Sequence, residues 1–426
     1  MRQLTLWREE LPREKLPTNL LTNHHPIHRW FNFIAGYSPE FVSQCIQEAQ
    51  LQPDETLIDP FSGLSTSLVQ SNFEGIRSVG FEVHPFFYDI SLAKLFPPTD
   101  RLKIDQIETM AESIVPYSGN LMDIWREPAV TFLSKLISDK ELRLLASALS
   151  IENQIDITDR PMYRLILSRV LELTAHSQTD GIYKAPTTQK GSVSYRSALG
   201  KVCNEIRTDV ELIGGYINRR ATLHLMSSEY MLPLANESCS LCVTSPPYLN
   251  NFDYAEMSRM EFYYWRYASS WGEITERVRR KLIVNTTTAP TDLKRNQIRF
   301  SDTLSQDFRS SLQPLIDALK QQMQIKDGKK DYYLLVYPYF SQMQAVFNEL
   351  RRVLKPASSF HLVVADAALY GVHIQTEQLL ARLMQEIGFQ IVDIVRLRTR
   401  GTRWVLDKRQ GATQPLGEFH IHARRT

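Results

Sequence analysis

The chain has 426 residues with an ordinary apolar content of 43%, enough for two or three domains around sizeable cores. Its 49 Lys and Arg against 47 Asp and Glu leave a net charge of +2, so the total alone argues for neither a nucleic-acid nor a membrane partner. No apolar run is long enough to span a membrane and no basic-then-apolar leader opens the chain; the four cysteines (Cys45, Cys203, Cys239, Cys242) suit a reducing compartment, and a cytoplasmic protein is expected.

Residues 1–18 are mixed in character and read as a loose arm. A helix over 37–49 leads into an apolar strand, Thr56 to Phe61. The small-residue turn Ser62 to Ser67 follows, then a helix to Glu74 and a second strand, Arg77 to Glu82. Strand, tight turn, helix and strand form a βαβ unit. Gly63 supplies positive φ and close backbone approach, and the helix beginning near Ser65 offers free N–H groups to a ligand's polar end. Glu82 lies roughly 20 residues past the turn, the spacing at which an acid binds a ribose diol in dinucleotide folds. A nucleophile elbow with Ser65 as nucleophile is a weaker reading, because Ser67 stands where glycine is needed. A helix over 85–95 starts on Pro85, and Pro97-Pro98 marks a boundary.

From 102 to about 217 the periodicity is helical, interrupted by a polar surface loop over 179–194. This block, 99–218, reads as an insertion, and DNA recognition or a scaffold role fits it equally. The α/β pattern resumes with strands at 221–226 and 240–244. The second ends on Ser245-Pro246-Pro247-Tyr248. Two prolines force the chain out of the sheet in a rigid, extended form. Carbonyls without neighbouring N–H partners beside an aromatic face are what holding an extruded nucleobase by its amino group requires. Taken alone, the tetrapeptide reads as well as a polyproline ligand or a plain loop. Cys239 and Cys242 have ligand-like spacing without a second pair, within a core strand, and His24, His25 and His28 lack acidic or cysteine company, so no metal is expected.

Tyr254 to Tyr267 reads as an aromatic-rich helix whose rings belong to the core. The basic, aperiodic stretch 271–304 reads as a mobile loop closing over a target base. Helices follow at 304–322, 340–354 and 376–387, with strands at 360–365 and 391–397. The last strand pairs in a hairpin with 418–423, where His420 and His422 read as fillers. Two arginine-rich clusters, one holding Arg279 and Arg280 and one holding Arg398, Arg400 and Arg403, suit phosphate contacts better than a merely solvated face.

Asp59-Pro60-Phe61-Ser62-Gly63 and Ser245-Pro246-Pro247-Tyr248 together resemble the DNA amino-methyltransferases that act on cytosine N4 or adenine N6. The family turn, Asp-Pro-Phe-x-Gly-x-Gly-Thr, is matched at Asp59, Pro60, Phe61, Gly63 and Thr66, with Ser65 in place of the second glycine. His25-Pro26 opens a loose version of the family's His-Pro-x-x-Lys-Pro, with arginine and tryptophan replacing lysine and proline. The resemblance covers roughly 19–98 and 219–426. It implies a doubly wound, mainly parallel seven-stranded α/β sheet with a helical insertion and a C-terminal β-hairpin. Residues 1–98 would form the arm and cofactor half, and 219–426 the catalytic half. It implies S-adenosylmethionine as cofactor, held by His25, Pro26, Asp59, Pro60, Phe61, Gly63, Thr66 and Glu82, with Glu229 near the adenine. It implies double-stranded DNA as substrate and Ser245, Pro246, Pro247 and Tyr248 as the catalytic loop; a cognate restriction endonuclease is left open. The serine form of the tetrapeptide is commoner in N4-cytosine enzymes. Adenine N6, guanine N2 in RNA, and a non-catalytic nucleic-acid-binding role stay open. No Pro-Cys pair occurs, which disfavours C5 attack through a thiolate.

Overall fold

The protein was analysed as a computed structural model, which describes residues 24–31, 36–179, 184–189, 191–214, 218–250, 253–287, 293–400, 405–407 and 412–426; the arm expected over 1–18 lies outside them. Seven strands make the main sheet: β1 (Thr56–Asp59), β2 (Arg77–Glu82), β3 (Ala221–Leu225), β4 (Cys239–Thr244), β5 (Leu354–Ala365), β6 (Phe389–Thr399) and β7 (Gly417–Arg425). Their order is β6-β7-β5-β4-β1-β2-β3. All contacts from β5 through β3 are parallel, and β7 runs antiparallel to both β5 and β6. The chain thus winds outward from β1 to β3, then returns to the other side of β1 as β4. That reversal creates a switch point between β1 and β4, with a crevice at the carboxyl ends of both strands.

Alternation along the central strands explains why both faces are covered. Leu57, Leu241, Val243 and Val363 face α1 (Pro39–Glu48), packing with Phe41 and Val42. Ile58, Cys242 and Leu362 face the other way, against Val346 and Phe347 of the helix Val336–Val353. A sheet sandwiched in this way needs near-continuous apolar strands, and these short runs supply them.

The five helices of the block beyond Pro97-Pro98 are α4 (Leu102–Glu112), α5 (Ala129–Leu136), α6 (Asp139–Ser150), α7 (Arg160–Thr174) and α8 (Tyr195–Ile213). Their core is continuous with Phe86 and Ile90 of α3 (Pro85–Leu95) and with Phe262, Tyr263 and Tyr264 downstream. Asp209 of α8 is fully buried and gathers the N-terminal segment: it accepts from the backbone N of Ile27 (3.4 Å), Arg29 Nε (3.0 Å) and Trp30 Nε1 (2.8 Å). The arginine and tryptophan that depart from the family's upstream motif are therefore the pair that docks it on the helical block.

Two expectations need correction. The stretch 271–304 is not an open loop. It holds helices at Trp271–Arg277 and Leu293–Thr303, with Ile274, Val278, Leu282, Ile283 and Val284 buried. Ser270 caps the first helix through the N–H of Glu273, and Ile274 with Val278 just past its end anchors it in the core. The polar stretch 179–194 is not simply a loop either: Ser177–Thr179 and Lys184–Gln189 pair as an antiparallel ribbon. The aromatic helix is broken at Ser258 into Tyr254–Met257 and Arg259–Tyr264, and Tyr263, Tyr264 and Trp265 are core as expected. Among the described residues no helix is long and apolar enough to cross a membrane.

Candidate active site

Asp59 closes the seam between the two halves. Its carboxylate is buried at the end of β1, and four donors from four parts of the chain converge on it. Oδ1 accepts from Thr244 Oγ1 at the end of β4 (2.6 Å) and from the N–H of Phe61 (3.0 Å). Oδ2 accepts from Tyr37 Oη (2.8 Å) and from Ser67 Oγ of α2 (Thr66–Glu74). Tyr37 Oη also reaches the carbonyl of Val243 (3.2 Å). One side chain thereby fixes the turn after β1 against the loop after β4, although 185 residues separate Asp59 from Thr244.

The turn itself is a pair of left-handed residues. Gly63 sits at φ 51° with open space where a Cβ would lie, so a ligand can approach its backbone. Ser65 sits at φ 61°, ψ 36°, directly before α2, without capping that helix through its side chain. The residue in the place of the family's second glycine thus adopts a glycine conformation, at a cost of about 1–2 kcal/mol. Its Oγ is buried and has no hydrogen-bond partner among the described residues. We expect Ser65→Gly to be neutral or to stabilise by up to about 1 kcal/mol, read from the urea midpoint; a clear destabilisation would show that the hydroxyl makes a needed contact.

Glu82 ends β2 beside this turn. It accepts from the N–H of His84 at 2.7 Å. Burial lifts its carboxyl to about 7, against the opposing pull of N–H groups from His84, Gly63 and Val83. A single carboxylate thus touches the turn and the following helix start. Gly80, opposite Asp59 in register, was not singled out from the sequence. A Cβ there would lie 2.1 Å from Ser62 Oγ and 2.9 Å from a Leu68 methyl, so glycine lets the turn lie flat on β2. A glycine inside a strand was the available signal.

Beyond β4, Ser245, Pro247 and Tyr248 are half-buried and Pro246 is buried. Ser245 Oγ donates to Tyr248 Oη (3.4 Å), which donates to Glu418 Oε1 (3.0 Å). The Arg400 guanidinium lies 5.5 Å from the centre of the Tyr248 ring. Burial, then the Glu418 charge, pushes the Tyr248 phenol well above its ordinary value, so it remains a donor. Glu418 carried no sequence signal beyond being an acid inside a strand.

The remaining candidates divide. Pro60 is buried, and Phe61 and Thr66 are half-buried, all within the turn. Glu229 lies past β3, where burial raises its carboxyl and the Gln342 amide donates to it at 3.0 Å. His25 pairs with Glu40 at the first turn of α1 (2.6 Å), acidic company that the sequence did not reveal; Pro26 is half-buried beside it. The arginines are mostly spent on protein groups. Arg279 pairs with Asp253 and stacks on Trp271 (4.0 Å), so it is a packed structural cation. Arg280 pairs with Glu276 on the surface, and Arg398 Nε donates to Glu418 Oε2 at 2.7 Å. Arg403 lies outside the described residues. His361, His420 and His422 stack across β5 and β7, and no metal-binding cluster occurs among the described residues.

No family model matches the chain. It is 21% identical to the "Type II methyltransferase M.BsoBI" of Geobacillus stearothermophilus, over 91% of this chain and 83% of that one. It is 24% identical to the "Type II methyltransferase M.AvaI" of Nostoc sp. and of Anabaena variabilis, over 88% of this chain and 81% of each. A solved structure of a SAM-dependent methyltransferase from Methanosarcina mazei aligns over 89% of this chain and 96% of that chain, at 9% identity and a TM-score of 0.28, too loosely to bear on the fold. The likeness to these type II DNA methyltransferases runs over 88–91% of this chain.

Proposed function

We propose that this chain is an S-adenosylmethionine-dependent, site-specific DNA methyltransferase that modifies the exocyclic N4 amine of a cytosine flipped from the duplex. The observation that carries this reading is the Asp59–Thr244 bond, which holds the turn at 61–66 and the loop at 245–248 at adjoining strand ends. The residues fit the cofactor: Gly63 leaves open space for it, and the Glu82 carboxylate stands beside the Gly63 N–H to accept ribose hydroxyls. When bound, the cofactor supplies an electrophilic methyl on a sulfonium.

The protein's own residues do the positioning. Ser245 Oγ and the Pro246 carbonyl accept hydrogen bonds from the target amine. Among the described residues no protein N–H is donated to that carbonyl. Both acceptors favour the positive charge that develops on nitrogen as the new bond forms. Tyr248 offers its face for stacking, worth ~1–3 kcal/mol. Holding nitrogen, methyl and sulfur in line can contribute ~7–11 kcal/mol in good cases. No protein nucleophile is needed. We read the type II relatives as favouring double-stranded DNA with a fixed recognition site, in company with a cognate endonuclease.

The test is transfer of labelled methyl from S-adenosylmethionine to duplex DNA by purified variants. Ser245→Ala is expected to lower kcat modestly. Pro246→Ala and Tyr248→Ala should lower it by about 10²-fold or more, each with cofactor binding retained. Equal loss of cofactor binding in all three would point to misfolding and would remove the base pocket from the account.

A further inference from the structure

We infer that Glu418 is a positioning residue for methyl transfer: it sets the direction of a hydrogen-bond chain so that Ser245 presents a lone pair, not a proton, to the target amine. This rests on the function proposed above and adds a residue from the opposite end of the chain.

The argument is an inventory of donors and acceptors. Glu418 is buried on β7, opposite Ala365 of β5 and Arg398 of β6. Its Oε2 takes the Arg398 Nε proton at 2.7 Å, and its Oε1 faces Tyr248 Oη at 3.0 Å. A carboxylate held by arginine only accepts, so Tyr248 must donate to it. The phenol's single proton is then used, and only its lone pair can face Ser245 Oγ, 3.4 Å away. Ser245 must therefore donate toward Tyr248. With its one proton committed there, the remaining valence of Oγ is an acceptor. An exocyclic amine carries two N–H groups, so an acceptor is what it requires. The same latch fixes the plane of the Tyr248 ring, while Arg400 lies 5.5 Å from its centre.

Glu418→Gln preserves shape and reverses the chain. Arg398 can only donate, so the introduced amide turns its oxygen to Arg398 and its NH₂ to Tyr248. Tyr248 then accepts from the amide and donates to Ser245, whose own proton is driven toward the amine. Two donors face each other.

The test measures kcat, the KM for S-adenosylmethionine and thermal stability on wild type, E418Q, S245A, Y248F and the double variants E418Q/S245A and E418Q/Y248F. E418Q is expected to lose about 10²-fold in kcat with cofactor KM and melting temperature near wild type. E418Q/S245A is expected to recover to the activity of S245A alone, because the misdirected hydroxyl is gone. E418Q should add no further loss in the Y248F background, where the chain is already cut. A purely structural role would multiply the losses in both double variants and lower the melting temperature, and that result overturns the inference. An active wild type with an unimpaired E418Q sinks this inference alone, whereas a wild type that transfers no methyl to DNA sinks the proposed function and this inference together.

Discussion

Asp59→Ala should lower folding stability by about 3–5 kcal/mol and abolish methyl transfer. The carboxylate is buried, and removing it strands three buried hydroxyls (Tyr37, Ser67, Thr244) and the half-buried Phe61 N–H. Each unsatisfied buried group costs about 1–3 kcal/mol, with partial relief as Tyr37 and Ser67 turn to each other and Tyr37 keeps the Val243 carbonyl. Against a total stability of order 5–15 kcal/mol that is a large fraction. Asp59→Asn should fall between, since one of its two terminal atoms still accepts. Activity should fall further than stability predicts, because Thr244 is the residue directly before Ser245. Urea unfolding with a parallel assay checks this; a loss below about 1 kcal/mol would show that the strand ends are joined by packing alone.

Below neutral pH the free protein should lose affinity for S-adenosylmethionine, and Glu82→Gln should remove that dependence. Glu82 is lifted to about 7 from an ordinary 4.5 because burial penalises its charge more than the N–H groups of His84, Gly63 and Val83 favour it. Ribose hydroxyls donate best to the ionised form, so cofactor affinity rises as pH climbs through about 7. Stability runs the other way. A carboxyl with a raised folded-state value is most stabilising while protonated in both states, below about 4.5, and that contribution is lost as pH rises through about 7. The full change is roughly 3 kcal/mol. Other buried groups also titrate, including Glu377 with a value near 7, so the quantity to measure is the wild-type minus E82Q difference across pH 4–8. A flat difference, together with a pH-independent calorimetric affinity, would place Glu82 outside the cofactor site.

The sequence made the first βαβ unit legible because its signals are local. The turn at 61–66, the helix after it and Glu82 all lie within one βαβ unit, and a strand ending in two prolines announces itself. What the sequence hid was long-range. Nothing near Asp59 names Thr244 or Tyr37 as its partners, nothing near Arg29 names Asp209, and Glu418 reads as one more alternating residue until β7 is seen between β5 and β6. Ser65 was visible as a departure from the family turn, but its left-handed backbone, which turns the departure into a conformational substitute, was not. The stretch 271–304 was misread because its first helix is short and buries few apolar residues, too small a stripe to stand out in a basic segment. The arginines there and in 396–409 were read by charge alone, whereas Arg279 and Arg398 answer buried carboxylates.

The central claim is that two strand ends joined by Asp59 hold a methyl donor against an exocyclic amine gripped by oxygen acceptors. Mass analysis of nucleosides from DNA treated with the purified chain and S-adenosylmethionine tests it most directly. The account predicts N4-methylcytosine, formed at least about 10²-fold more slowly when Pro246 is replaced by alanine. DNA that acquires no methylated amino group, from a chain that nevertheless binds the cofactor, would contradict it.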